Sequence, residues 1–136
     1  MDPRIKNVLA VVAGLLAGSL INGGLINISG TIIPPPEGAD VTTMEGLKAS
    51  LHLFEPKHFI MPFLAHAIGT LVGAFVAIKR AASQPMRMVY IVAAFFFVGG
   101  AMNVMMLPAP MWFNILDLVG AYFPMGWLVL KLTNNH

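Results

Sequence analysis

Four apolar blocks, each about 20 residues long, constrain the fold of this chain more than any other feature of its sequence. A helix of that length crosses a hydrocarbon core of about 30 Å. Hydrophobic residues make up 57% of the 136-residue chain and charged residues only 10%, against about 25% in soluble domains. The blocks predict an all-α membrane protein, a four-helix transmembrane bundle formed by one domain over 1–136. We expect the spans at Lys6–Ile28, His58–Ile78, Met88–Leu107 and Met111–Leu130.

The remaining composition excludes several kinds of site. The chain has no cysteine, which rules out disulfides, thiolate metal ligands and a cysteine nucleophile. Its net charge of +2 is too small to indicate a nucleic-acid partner, so the lipid bilayer is the partner that we expect. The first span follows a basic start and resembles a signal peptide, but its apolar run exceeds the usual core of about 7–15 residues and lacks a convincing cleavage site. We therefore expect this span to be retained.

The outer loop at 29–57, between the first two spans, carries its own structural signals. Three prolines at 34–36 favour a stiff, extended exit from the membrane. Thr42 and Glu45 then have the spacing of a helix capping box. Apolar residues follow at helical spacing: Met44, Leu47, Leu51 and Phe54. The pattern predicts a short amphipathic helix that either lies on the membrane surface or packs on the end of the bundle.

Basic residues are distributed unequally between the two sides of the predicted bundle. Only Lys48 and Lys57 lie on the side of the long loop. Six lie on the other side: Arg4, Lys6, Lys79, Arg80, Arg87 and Lys131. Because cytoplasmic loops carry an excess of Lys and Arg, we expect both termini to be cytoplasmic. We expect the protein in a bacterial inner membrane.

Small residues recur at four-residue intervals along the predicted spans. Two of these stripes form GxxxG motifs, Gly14 to Gly18 in the first span and Gly69 to Gly73 in the second. The third span carries the adjacent pair at 99–100. Such stripes let helix backbones approach closely in lipid, so they predict packing faces. The neighbour on such a face is either another helix of this chain or a second subunit, which leaves a homo-oligomer or a larger membrane complex open.

Polar residues share the faces of the small residues. Asn22, His66, Asn103 and Asp117 each lie three or four residues from a glycine of a stripe, and Asn114 lies on the face of Asp117. Residues at that spacing lie on one side of a helix, so we expect these side chains to point towards neighbouring helices. Their depths agree to within about one helical turn at a rise of about 1.5 Å per residue. The sequence predicts one polar layer in the outer half of the bundle.

Pro124 interrupts the fourth span. Because proline lacks a backbone N–H, we expect a kink near Gly120 to Phe123. The neighbouring Tyr122 is a candidate to place its hydroxyl in the space that the kink opens.

His66 and Asp117 are the natural pair within the polar layer. Such a pair is able to relay protons, bind a cation or orient a polar headgroup, because ionisable groups inside a membrane usually face a partner or a cavity. Alternatively, these two residues and the asparagines only hold the helices together by hydrogen bonds. His52, Glu55 and His58 have a spacing that a helix would gather, but Pro56 argues against that helix, so we predict no metal site.

Three functions follow from these alternatives. The first is a structural or accessory membrane subunit whose buried polar layer specifies packing. The second is a small proton- or cation-linked transporter or channel, in which His66 and Asp117 carry the charge. The third is an intramembrane enzyme on a lipid-like substrate, with His66 as the base. The sequence favours a non-enzymatic role and indicates neither a cofactor nor a committed catalytic residue.

Overall fold

The computed structural model describes residues 1–133, and all regular structure in this range is helical. Residues 134–136 lie outside the described range. Six α-helices follow one another within that range: α1 (Pro3–Ile32), α2 (Met44–Ser50), α3 (Ile60–Arg80), α4 (Pro85–Met106), α5 (Met111–Gly120) and α6 (Phe123–Leu132). Two 3₁₀ turns, Leu51–Leu53 and Pro56–Phe59, connect α2 to α3.

Four stretches of the described chain are long and apolar enough to cross a membrane. They are Pro3–Ile32, Pro56–Arg80, Pro85–Met106 and Met111–Leu132, the last of which joins α5 and α6. Each overlaps one predicted span, and α2 lies between the first and the second. The predicted four-helix bundle with a short helix in its first loop is therefore confirmed.

The first helix is longer than its predicted span. The Asp2 side chain accepts a hydrogen bond from the Arg4 N–H at 2.8 Å and so caps the helix three residues earlier than expected. At the other end α1 stops at Ile32, and Ile33 is already extended. A proline disfavours helical geometry in the residue that precedes it, so Pro34 explains why α1 ends before Ile33.

The start of α1 is hydrogen-bonded to the turn between α3 and α4. Asn7 Oδ1 accepts from the backbone N–H groups of Ala82 and Ser83 at 2.8 and 3.2 Å, and Asn7 Nδ2 donates to Ser83 Oγ at 3.0 Å. The end of α6 reaches the same region, where Val129 and Ile78 belong to one apolar cluster. We call this region the terminal end of the bundle, and the opposite region, which α2 covers, the capped end.

Paired glycines bring the backbones of α1 and α3 into contact. A β-carbon added to Gly14 would lie 2.5 Å from the Gly73 carbonyl oxygen, and one added to Gly18 would lie 2.5 Å from the Gly69 carbonyl oxygen. No larger residue fits at these crossings without moving one backbone away from the other. The two GxxxG stripes thus face each other within a single chain.

The capped end is closed by α2 and the turns that follow it. The Thr43 hydroxyl accepts a hydrogen bond from the Gly46 N–H at 2.9 Å, so Thr43 caps α2 and the expected cap at Thr42 is wrong. Thr42 bonds instead to the Asp40 carboxylate. Apolar residues of this cover, Leu47, Leu51, Phe54 and Phe59, form one cluster with residues at the ends of the long helices, Phe63, Leu107 and Phe113. The sequence left two arrangements of the amphipathic helix open, on the membrane surface or on the end of the bundle. In the structure it packs on the end of the bundle.

The interior at the terminal end is apolar and close-packed. Five of its side chains are at most 1% exposed: Ala74, Ala77, Val89, Val92 and Val129. The buried polar side chains of the described chain are Ser50, His58, Thr70 and Asp117, and none lies on the terminal side of Thr70. About 15 Å of apolar interior therefore separates Thr70 from the end of α3 at Arg80.

Candidate functional site

A break in the fourth apolar helix builds one side of the site. α5 ends at Gly120 and α6 begins at Phe123, so the expected kink is a complete interruption at 121–122. Pro124 occupies the first turn of α6, where its missing N–H does no harm, whereas a continuous helix would need that N–H. The interruption turns the Tyr122 side chain inward, where it is 3% exposed.

His66, Asp117 and Tyr122 form one hydrogen-bonded group that joins α3, α5 and the interruption before α6. His66 Nδ1 lies 2.8 Å from Asp117 Oδ1, and the Tyr122 hydroxyl donates to Asp117 Oδ2 at 3.1 Å. The rings of His66 and Tyr122 are stacked at 6.1 Å. The Asp117 residue is only 4% exposed, and each of its carboxyl oxygens has a partner. The contact between His66 and Asp117 is therefore direct and leaves no room for a ligand between them.

The net charge of this group limits which atoms carry protons. An unbalanced charge in a membrane interior costs several kcal/mol, so forms without net charge are favoured. With the Tyr122 hydroxyl donating to Oδ2, two such forms remain: imidazolium with carboxylate, or neutral imidazole whose Nδ1 accepts from a carboxyl group protonated at Oδ1. In both, the proton shared at Nδ1 is committed to Asp117 and Nε2 also carries a proton. Within the described chain no hydrogen bond involves Nε2, so His66 retains one unused donor.

Asn22, which lines a cavity together with His66, supplies an unused acceptor. Its Oδ1 is buried and has no hydrogen-bond partner among the described residues. Asn22 is held against α3, since a β-carbon added to Gly69 would lie 3.0 Å from the Asn22 β-carbon. A buried carbonyl oxygen without a partner costs about 1–3 kcal/mol, and well-packed proteins rarely leave one.

Two adjoining cavities lie next to these polar atoms in the capped half. Their volumes are about 140 and 270 Å³, and both are lined by Asn22, His66, Gly100 and Asn103. The second continues beneath the cover formed by α2 and is walled mainly by apolar side chains, among them Ile26, Met44, Leu47, Leu51, Phe54 and Phe113. We call the two cavities together the polar cleft.

The cleft exists because α1 and α4 separate towards the capped end. Nearer the terminal end, Gly14 lies against Val92 and Gly18 against Phe96. Further along, a β-carbon added to Gly23 or to Gly99 would have no neighbour within 4 Å. Gly99 was expected on a packing face, but no helix of the described chain packs against it, because α1 and α4 diverge at this depth.

The remaining polar-layer residues differ in their surroundings. Asn103 was expected to point towards a packed helix, but it is exposed and lies at the mouth of the cleft, since α1 no longer covers α4 there. Asn114 is half-buried, lines the larger cavity and donates to the Ala109 carbonyl oxygen at 3.4 Å. All five residues of the predicted polar layer therefore line the polar cleft. Asn22, His66 and Asn103 line both of its cavities, and Asp117 and Asn114 line the larger one.

Two contributors to the cleft escaped sequence reasoning. Gly100 lets the Tyr122 ring approach α4, since a β-carbon there would lie 2.7 Å from Tyr122 Cζ. The glycine pair at 99–100 indicates a close approach at this position, but it does not indicate that the Tyr122 ring makes it. Thr70 lines the smaller cavity, and its hydroxyl donates to the His66 carbonyl oxygen at 2.8 Å, an ordinary bond within a helix.

His52, Glu55 and His58 of the outer loop are not gathered into a metal site. His58 is buried, and its Nδ1 accepts from the Glu55 backbone N–H at 2.8 Å. Within residues 1–133, no group of three His, Asp or Glu side chains is arranged to hold a metal ion. Nearby, hydrogen bonds from the Thr42 hydroxyl and Thr42 N–H lower the pKa of Asp40 below its ordinary value.

Comparisons with known proteins do not identify a relative of this chain. No protein-family model, no curated protein and no solved structure matches the chain. The conclusions that follow therefore depend on the polar cleft itself.

Proposed function

We propose that the protein is a membrane-embedded accessory subunit that holds the polar head of an amphipathic molecule in the polar cleft. The observation that carries this proposal is the unpaired Oδ1 of Asn22, which lies beside a cavity that His66 also lines. A ligand that donates to this oxygen recovers the free energy that the unpaired group costs the empty protein, and His66 offers a further contact. The apolar walls of the larger cavity suit the chain attached to such a head.

The polar groups open towards one half of the membrane only. Thr70 is the buried polar side chain closest to the terminal end within the described chain, and about 15 Å of apolar interior follows it. This dry half offers no polar steps for a proton or a cation. The one-sided arrangement supports binding rather than the transporter or channel that the sequence left open.

The basic residues suggest which leaflet the cleft serves. Six Lys and Arg residues belong to the terminal end, which favours a cytoplasmic position for both termini in a bacterial inner membrane. In that orientation the cleft opens in the outer leaflet, beneath a cover that faces the external side.

Filling the cleft tests the proposal. Gly99→Leu introduces a side chain at the cleft without a steric clash, because a β-carbon there has no neighbour within 4 Å. Gly24→Leu is the matched control, since Gly24 is equally open and lines neither cavity. Native mass spectrometry after extraction in mild detergent should show a lipid-sized adduct on the parent protein and on the control, but not on Gly99→Leu. Absence of any adduct, or equal adducts on all three proteins, would contradict ligand binding.

A purely structural role is the second candidate, and the directness of the His66–Asp117 contact favours it. The two atoms are 2.8 Å apart and join α3 to α5 without any bridging molecule. A structural role accounts for His66, Asp117 and Tyr122, which bond to one another. It explains neither the unpaired Asn22 oxygen nor the cleft. Under a structural role, Gly99→Leu has no effect on bound lipid.

The enzyme that the sequence left open gains less support. A base at His66 needs a nucleophile or a bound water, and the nearest hydroxyl on its own helix, that of Thr70, is already bonded to the His66 carbonyl oxygen. We therefore propose no catalytic step.

A further inference from the structure

We infer that the ligand of the polar cleft is a long-chain amphiphile whose head is an uncharged hydroxyl group. This inference rests on the proposed binding function and specifies the chemistry of its ligand. It follows from three properties of the cleft: the charges along its walls, the hydrogen-bonding groups left unused, and the apolar surface beneath the cover.

The charges along the cleft exclude charged heads. No Lys or Arg lines either cavity within the described chain, so a phosphate or carboxylate head would lack a counter-charge. The carboxyl group that lines the larger cavity, Asp117, already pairs with His66 and accepts from Tyr122, so its charge is balanced and an ammonium head would bring a positive charge without a counter-charge. A charged head would therefore enter this low-dielectric space without compensation.

The unused hydrogen-bonding groups select a head that both accepts and donates. His66 Nε2–H is a donor without a partner in the described chain, and Asn22 Oδ1 is an acceptor without one. A hydroxyl group satisfies both, because its oxygen accepts from Nε2–H while its O–H donates to Oδ1. An ester carbonyl satisfies the donor alone, and an ammonium group satisfies the acceptor alone.

The larger cavity provides apolar surface for the chain. Its walls include Ile26, Leu47, Leu51 and Phe54, which belong to the first apolar helix and to the cover. Asn103, exposed at the cleft, leaves a polar rim beside the head position. The geometry therefore suits one apolar chain beneath the cover, with its polar end at Asn22 and His66.

Four probes that share the oleyl chain separate these requirements: oleyl alcohol, methyl oleate, oleic acid and oleylamine. We would measure each dissociation constant with the full-length protein in lipid nanodiscs. Loss of one hydrogen bond is worth about 1.4 kcal/mol, so oleyl alcohol should bind about tenfold more tightly than methyl oleate. Oleic acid and oleylamine should bind more weakly than the alcohol at neutral pH. A tighter complex with either charged probe, or with the ester, would overturn the inference.

One substitution tests the acceptor within this scheme. Asn22→Leu removes the oxygen that receives the hydroxyl proton, so it should reduce the preference for oleyl alcohol over methyl oleate to about onefold. Asn27→Leu is the matched control, because the Asn27 amide donates to the Gly23 carbonyl of its own helix and lines neither cavity of the cleft. This control should keep the preference.

The outcomes separate the inference from the function on which it rests. If all four probes bind equally and Gly99→Leu abolishes their binding, the cleft binds amphiphiles but the hydroxyl assignment is wrong. If no probe binds to the parent protein, both the assignment and the proposed function are wrong. Head selectivity of the parent protein decides between these results even if Asn22→Leu does not fold.

Discussion

The two halves of the bundle solve the problem of helix packing in different ways. At the terminal end, α1, α3, α4 and α6 enclose side chains such as Val89, Val92 and Val129 that are at most 1% exposed. At the capped end, α1 and α4 separate, and cavities of about 140 and 270 Å³ remain between them. The same chain thus contains a half that is filled and a half that is not.

This difference separates stability from function. The terminal half leaves no polar atom without a partner in its described interior, and its backbones touch at Gly14 and Gly73. The capped half keeps an unpaired oxygen on Asn22 and a buried acid at Asp117, both of which cost free energy. Costly groups gathered beside a cavity are typical of a binding site.

The largest expected effect comes from breaking the buried pair of His66 and Asp117 in the capped half. Asp117→Ala leaves His66 and the Tyr122 hydroxyl without their partner, so we expect a loss of about 3–5 kcal/mol in the free energy of unfolding. Reversible unfolding in mixed micelles measures it. The conservative control, Asp117→Asn, should lose less because its amide oxygen still accepts from Tyr122. A loss below about 1 kcal/mol for Asp117→Ala would show that the network does not join the helices.

Crowding the filled half should have the next largest effect. Gly14→Val places a β-carbon 2.5 Å from the Gly73 carbonyl oxygen, and backbone cannot move aside as a side chain does. We expect a loss of about 1–3 kcal/mol in the free energy of unfolding. Gly23→Val adds the same side chain to the same helix where no atom lies within 4 Å, and it should be nearly neutral. Equal losses at the two positions would show that the halves are not packed differently.

Removing the unpaired Asn22 oxygen should raise the free energy of unfolding slightly, whereas the two substitutions above lower it. Asn22→Leu removes a buried, unpaired oxygen and puts an apolar side chain in its place, so the ligand-free protein should gain about 1 kcal/mol in the free energy of unfolding. The same variant loses its preference for the hydroxyl head. A purely structural asparagine predicts the reverse, because its loss would destabilise the bundle.

The smallest effect concerns the attachment of the cover. The Asp40 pKa is lowered by the Thr42 hydroxyl and N–H, so the carboxylate favours the folded loop above its unfolded pKa of about 3.9. This contribution disappears as the pH falls through the lower, folded-state pKa. The Thr42 amide resonance should therefore titrate with a midpoint below about 3.9, and Thr42→Val should raise it. A midpoint at or above the ordinary value would contradict this assignment.

Local sequence patterns predicted the parts of the fold that depend on helix periodicity. The four apolar blocks gave the four membrane-length helices, and the glycines of the two GxxxG motifs face each other. The pairing of His66 with Asp117 was also accessible, because each lies on the small-residue face of its helix.

The sequence did not reveal where neighbouring helices diverge. Asn103 and Gly99 lie on a face of α4 with the small-residue pattern of a packing face, but α1 diverges from α4 at that depth. The volume of the cleft also depends on how the segment at 33–59 folds over the bundle, which is a long-range contact without a local signal. Even the cap of α2 differed by one residue, because Asp40 engages Thr42 and leaves Thr43 to bond Gly46.

A density map of the protein in lipid nanodiscs, at a resolution that shows side chains, tests the central claim most directly. The claim is that the capped half is open because it holds a ligand head. The account predicts elongated non-protein density in the polar cleft, with its polar end within hydrogen-bonding distance of Asn22 Oδ1 and His66 Nε2. A cleft closed by its own side chains, with Asn22 bonded to a protein group, would contradict the account.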